Sequence, residues 1–145
     1  MRTLVAVQVG GRPEAKGSMR VGQHGGIFSS NPRLHGWQER LGLAVAAELN
    51  GAGPALGPVY LSLVFLFVRP PSHRLKSGRL RKGAPAYPGR LDLDKLVRGV
   101  LDGLTGVLFR DDSQVVELDA AKEYGPLAGV QVVAREIDMR SEVEA

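Results

Sequence analysis

The chain of 145 residues contains no cysteine. That excludes disulfide bridges, cysteine nucleophiles and zinc sites built on thiolates. Long apolar runs are missing too. The longest, Val59 to Val68, falls far short of the roughly 20 residues a membrane-spanning helix needs. The run from Leu4 to Val9 is too short for the apolar core of a secretory signal and lacks a cleavage pattern. A reducing cytoplasm is therefore the expected location, with no membrane as partner. Histidine is scarce. His24, His35 and His73 form no His-x₃-His pair, and no Gly-x-Ser-x-Gly elbow occurs. The stretch Gly10 to Ser18 superficially resembles a phosphate-binding loop, but Ala15 precedes Lys16 where glycine is required, which excludes a nucleoside triphosphatase. Acidic residues are absent from positions 69–90, which carry Arg69, Arg74, Lys76, Arg79, Arg81, Lys82 and Arg90.

The composition, 43% hydrophobic and 23% charged, is that of an ordinary globular protein. The length suits one domain with a real core. The net charge of +4 conceals a polarity. Residues 1–91 hold 13 Lys+Arg and 3 Asp+Glu, whereas residues 92–145 hold 6 and 12. Such a basic part suggests an anionic polymer as partner; the plainer alternative is a charged surface that keeps the protein in solution.

Thr3 to Val9 is rich in β-branched residues and ends at Gly10-Gly11, so it reads as a strand. Gly25-Gly26 marks a hairpin turn in the glycine-rich stretch that follows. Asn31-Pro32 reads as a helix cap and first position, and Leu34, Trp37, Leu41, Val45 and Leu49 recur at helical spacing up to Asn50-Gly51. The apolar run Val59 to Val68 between prolines reads as a central strand covered on both faces. Residues 69–90, with several Pro and Gly and no periodicity, read as a mobile loop. A second helix is expected over Lys95 to Thr105, with Leu96, Val97, Val100, Leu101 and Leu104 on one face. Gln114 to Tyr124 and Gly129 to Ile137 read as strands joined at Gly125-Pro126, and 138–145 as a frayed tail. The expected fold is α/β (α+β), a single two-layer domain over 1–145 with a mixed sheet and two main helices.

The most informative segment lies between Arg90 and Val116. Asp92, Asp94, Asp102, Asp111 and Asp112 fall within 21 residues of an otherwise basic chain. Clustered carboxylates repel unless they hold something positive, and hard cations such as Mg²⁺ prefer oxygen ligands. With the apolar face of the second helix filled, Asp94, Arg98 and Asp102 align on the opposite face. If Asp92-Leu93-Asp94 is extended, both carboxylates point to one side, and a third from Asp111-Asp112 would complete a three-oxygen cage. An unremarkable reading of the same residues stays open: Asp94 as an N-cap, Arg98 paired with both acids, Asp111-Asp112 opening a turn.

This segment resembles the RusA family of Holliday-junction resolvases of phages and prophages. The family pattern, approximately Asp-x-Asp-Asn-x-x-Lys, Asp-x-Leu, Asp-Asp-x-x-Val, is met by Asp92 to Arg98, Asp102-Gly103-Leu104 and Asp111 to Val115. Lys122 stands where a basic residue follows in the family, and Gly11 to Lys16 with Arg20 resembles its amino-terminal pattern. Two positions depart from it: Lys95 replaces the usual Asn and Arg98 the usual Lys. Arginine keeps the charge but cannot donate a proton at neutral pH.

The resemblance implies a Mg²⁺-dependent (Mn²⁺ possible) homodimeric endonuclease that nicks four-way DNA junctions symmetrically. Asp92, Asp94 and Asp112 would be metal ligands and Arg98 would offset charge growing on the phosphate. Asp102 and Asp111 would be subsidiary. Lys16, Arg20, Arg74, Lys76, Arg79, Arg81, Lys82, Arg90, Lys95 and Lys122 would contact DNA. Trp37, Phe28 and Phe109 are candidates for the dimer interface. The rival expectations are a junction- or duplex-binding protein with a weak or inactive site, and a metal-dependent nuclease for another branched DNA.

Overall fold

The computed structural model describes residues 1–138 except 18, 22, 24, 26 and 30, and for 19–21 and 27–29 the backbone only. The side chains of Arg20 and Phe28, and the tail beyond 138, lie outside the described residues. Strand β1 (Arg2–Gly10) is followed by a small antiparallel pair, β2 (Met19–Val21) and β3 (Ile27–Ser29), and then by helix α1 (Leu34–Leu49). Strand β4 (Val59–Phe67), helix α2 (Leu93–Leu104) and strands β5 (Val115–Tyr124) and β6 (Gly129–Glu136) complete the order. The four long strands form one sheet in the order β1-β6-β4-β5. Strand β6 runs antiparallel to both neighbours, while β4 and β5 are parallel. This is the expected α+β domain with a mixed sheet. Among the described residues no helix is long and apolar enough to cross a membrane.

Both helices pack on the same side of the sheet, α1 against β1 and α2 against β5, and they touch each other. The core lies between the layers. Val59, Leu61, Leu63 and Phe65 of β4 meet Val130, Val132 and Ala134 of β6, and Leu41, Val45, Leu96, Val100 and Leu104 close the cluster from the helices. Burying each large apolar side chain contributes about 1.5–3 kcal/mol, and this continuous cluster holds the helices down.

The expectation that β4 is covered on both faces is overturned. The strand is central, but only its odd positions are buried; Tyr60, Ser62, Val64 and Leu66 remain half-buried. An unbroken apolar run is consistent with two covered faces, yet both helices lie on one side and leave the other open. The start of α1 also differs. Asn31 caps the preceding turn, its side-chain Oδ1 accepting from the Arg33 amide at 3.0 Å, and the helix begins at Leu34. At the far end Asn50 is left-handed, φ 51°, and its amide satisfies the carbonyls of Ala46 and Ala47.

Candidate active site

Helix α2 and its N-cap carry three of the five aspartates, and the first turn settles how Asp92 and Asp94 stand. Asp92 is the N-cap, with extended backbone (φ −70°, ψ 130°) and no side-chain capping bond. Leu93 and Asp94 are already helical, two residues before the expected start. The alternation expected for an extended Asp-Leu-Asp triplet therefore does not apply. The reason is local: carboxylates in a first helical turn complement the helix dipole, which favours winding at this point. The Asp92 carboxylate lies 3.7 Å from the Lys95 ammonium, an exposed i, i+3 pair.

Asp94, Arg98 and Asp102 are exposed along one face of α2, as their spacing requires. The chain segment after β1 lies across this helix. Gly99 permits the approach: a Cβ there would stand 3.2 Å from the Glu14 carbonyl oxygen and from Leu34. The Lys16 amide donates to the Lys95 carbonyl at 3.1 Å, and the Lys16 ammonium reaches Asp102 at 2.7 Å. Both side chains of this pair are about one-third exposed (30% and 34%), so it stabilises by no more than about 0.2–1 kcal/mol. Lys16, Asp94, Lys95 and Arg98 together line a shallow hollow. Three cations and one carboxylate thus share this hollow, Lys16 being paired with Asp102 and Lys95 with Asp92.

A second hollow opens at the other end of α2, lined by Asp102, Thr105, Arg110, Asp111 and Asp112. Gln114 builds it. Its Oε1 accepts from the amides of Arg110 (2.7 Å) and Asp111 (3.0 Å), while its Nε2 donates to the carbonyls of Ala55 (2.8 Å) and Gly57 (2.9 Å). Asp111 accepts from the Ser113 amide at 2.9 Å and completes a capping box with Gln114. Those bonds to Ser113, backbone first and side chain second, hold the Asp111 carboxyl below the usual carboxylate range. Gln114 and Arg110 had no role in the sequence reading. The signal was present, since Asp-x-x-Gln is a capping-box spacing.

Carboxylates are suitable donors for a hard cation. Among the described residues no three Asp, Glu or His side chains converge to hold a metal ion. Eight residues of helix separate Asp94 from Asp102, a rise of about 12 Å. Two ligands of one Mg²⁺, each about 2.0–2.1 Å from it, cannot stand so far apart. Asp94 and Asp102 therefore cannot both hold one cation, which keeps Asp102 out of the expected set of Asp92, Asp94 and Asp112.

The basic segment 69–90 is internally hydrogen-bonded. Arg81 donates its amide to the His73 carbonyl (2.8 Å) and Leu75 to that of Arg79 (2.8 Å). Several guanidinium groups serve the loop itself: Arg69 reaches the Pro85 carbonyl, Arg74 that of Gly78 and Arg81 that of Ser72. Lys76, Arg79, Lys82 and Arg90 are exposed. Lys122 is half-buried and donates to the Leu91 carbonyl at 2.7 Å, immediately before Asp92. Its charge steadies the entrance to α2. Trp37 and Phe109 are buried in the core, at 4% and 0% exposure, and are not available to an interface in this fold. Helical spacing marked Trp37 as core; Phe109 is buried because the turn after α2 folds back under Ala55, as the Ala55–Leu108 backbone bond shows.

Two comparisons bear on this geometry. A family model described as Endodeoxyribonuclease RusA matches residues 10–135, a span holding both hollows and the basic segment. The chain is also similar to the uncharacterized protein YqaN of Bacillus subtilis (strain 168), at 29% identity over 130 residues, 88% of each chain.

Proposed function

Because the chain belongs to the RusA endodeoxyribonuclease family, we propose that it resolves four-way (Holliday) DNA junctions by symmetric nicking. The whole of 1–145 acts as one such domain. The observation that carries the reading is the pair of hollows along α2, one lined by Lys16, Lys95 and Arg98 beside Asp94, the other by Asp102, Asp111 and Asp112. The first suits a phosphodiester. Arg98 and Lys95 there would offset charge growing on the phosphate during attack, while Lys16 stays committed to Asp102. The exposed Arg79, Lys82, Lys76 and Arg90 would hold the DNA backbone by charge without reading sequence.

Asp92, Asp94 and Asp112 are the carboxylates proposed to carry the chemistry. Mg²⁺, or Mn²⁺ in its place, is the cofactor their chemistry calls for, and such a cation would supply an activated water. The working unit is proposed to be a twofold homodimer, since two symmetric cuts require two active centres. Light scattering should give twice the 15.5 kDa of the chain; a mass of one chain would refute a preformed dimer. A second reading, a junction-binding protein that cuts weakly or not at all, is favoured by Lys95 lying 3.7 Å from Asp92.

Incubation of the protein with an end-labelled four-way junction, with and without Mg²⁺, separates the two. Cleavage only with the cation is expected, with Asp92→Asn, Asp94→Asn and Asp112→Asn each abolishing it while junction binding in EDTA persists. Binding without any cleavage in Mg²⁺ or Mn²⁺ would favour the second reading. A variant cutting at the wild-type rate would remove its residue from the site.

A further inference from the structure

Beside the entrance to α2 lies a cavity of about 340 Å³, lined by Arg12, Phe67, Pro88, Arg90, Leu91 and Tyr124 among others. Its volume falls in the range of small-molecule sites, which combine apolar walls with a few placed polar groups. Neither hollow on α2 includes it. The half-exposed Tyr124 ring is held in place: the Arg69 guanidinium lies over it at 4.1 Å from the centroid, and His73 meets it edge-on at 6.0 Å. Arg69 is itself anchored to the Pro85 carbonyl at 2.7 Å. The two remaining cations, Arg12 and Arg90, are exposed at the cavity's edge. Among the described residues no acidic side chain lines it.

A flat aromatic platform between apolar walls, with guanidinium groups at the rim, is complementary to an aromatic ring bearing an anion. We propose that this cavity receives one unpaired nucleotide of the DNA strand, its base against Tyr124 and its phosphate between Arg12 and Arg90. A base inside a duplex enters only after unpairing and unstacking, whereas a base that has lost its partner at a branch point has already met much of that cost. Stacking on an aromatic ring tolerates every base. The cavity therefore selects branched over linear DNA by the availability of a base, not by its identity. Leu91, in the wall, immediately precedes Asp92 and is fixed through its carbonyl by Lys122. An occupied cavity thus sets the strand beside the aspartates. This inference rests on the reading of the chain as a protein of branched DNA.

Gly89 offers a test that leaves the fold alone. It lines the cavity, its φ is not in the positive region, and a Cβ there meets nothing within 4 Å. Gly89→Leu adds an apolar side chain at the cavity's edge without backbone strain, which an unchanged melting curve verifies. Binding is measured in EDTA, apart from cleavage, to a four-way junction and to a linear duplex of the same sequences. Gly89→Leu is expected to weaken junction binding by about five- to a hundred-fold, the range for loss of one stacked base, and to leave duplex binding unchanged. Ultraviolet crosslinking of a junction carrying 5-iodouracil at the branch point should map to Tyr124 in the wild type and vanish in the variant.

Unchanged junction affinity, or an equal loss for junction and duplex, would overturn the inference. So would a change in oligomeric state caused by Gly89→Leu, which would give the cavity to a second copy of the chain. A wild type that binds junctions selectively but does not cut them sinks the nuclease reading alone. Failure to bind any DNA sinks both.

Discussion

Replacing Gln114 with alanine tests whether one neutral side chain holds the acidic hollow in place. Its amide makes four hydrogen bonds, two received from the Arg110 and Asp111 amides and two given to the Ala55 and Gly57 carbonyls. A neutral hydrogen bond contributes about 0.5–1.5 kcal/mol net. Arg110 and Asp111 are exposed, so water can replace the bonds to their amides at small cost. Ala55 is buried and Gly57 half-buried, and their carbonyls lose their partner outright. A destabilisation of about 2–3 kcal/mol follows, which for a domain of this size lowers the melting temperature by about 5–10 °C. Gln114→Glu sharpens the test. It keeps the acceptor toward the two amides but aims a carboxylate at two carbonyls. Burial against those carbonyls raises the folded-state pKa of the new acid, so its stability deficit grows as pH rises and shrinks on acidification. Thermal melting by circular dichroism reads both variants, and junction cleavage at a temperature where both are folded reads the hollow. A Gln114→Ala melting temperature within about 1 °C of wild type would refute the assignment.

The remaining predictions concern charge. Replacing Lys76, Arg79 and Lys82 with alanine should weaken DNA binding and reduce its salt dependence by roughly 0.9 in logarithmic slope per lost phosphate contact; an unchanged slope would place the DNA elsewhere. Asp111 has a depressed carboxyl pKa in the folded state, so its contribution to stability is present above the unfolded-state pKa and is lost as pH falls through the folded one. Asp111→Asn should therefore flatten the acid limb of a stability-versus-pH curve, and an unaltered limb in chemical denaturation would contradict this.

The elements were legible because their signals are local. Apolar spacing at 3.6 residues marked Leu34, Trp37, Leu41 and Val45, all buried on α1. Gly125-Pro126 separated the last two strands. Pairing was less accessible: β5 and β6 follow each other in sequence, yet β4 lies between them. The exposed alignment of Asp94, Arg98 and Asp102 was readable from helix geometry. The mutual placement of the aspartates was not, because it depended on where α2 starts. The start at Leu93 instead of Lys95 decides how Asp92 and Asp94 stand to each other.

The sequence by itself determined the α+β class, the charge polarity, the aspartate spacing and the family resemblance, since each is a property of residue order or composition. Only the tertiary structure decided which cations are committed. Lys16 reaches Asp102 across 86 positions, and Lys122 holds the Leu91 carbonyl from another strand. It also decided that β4 has one open face, because both helices pack on the same side. The cavity beside Tyr124 arises the same way, where segments far apart in the chain meet at one end of the sheet. Contacts of that kind depend on how layers stack, and no local pattern of residues encodes them.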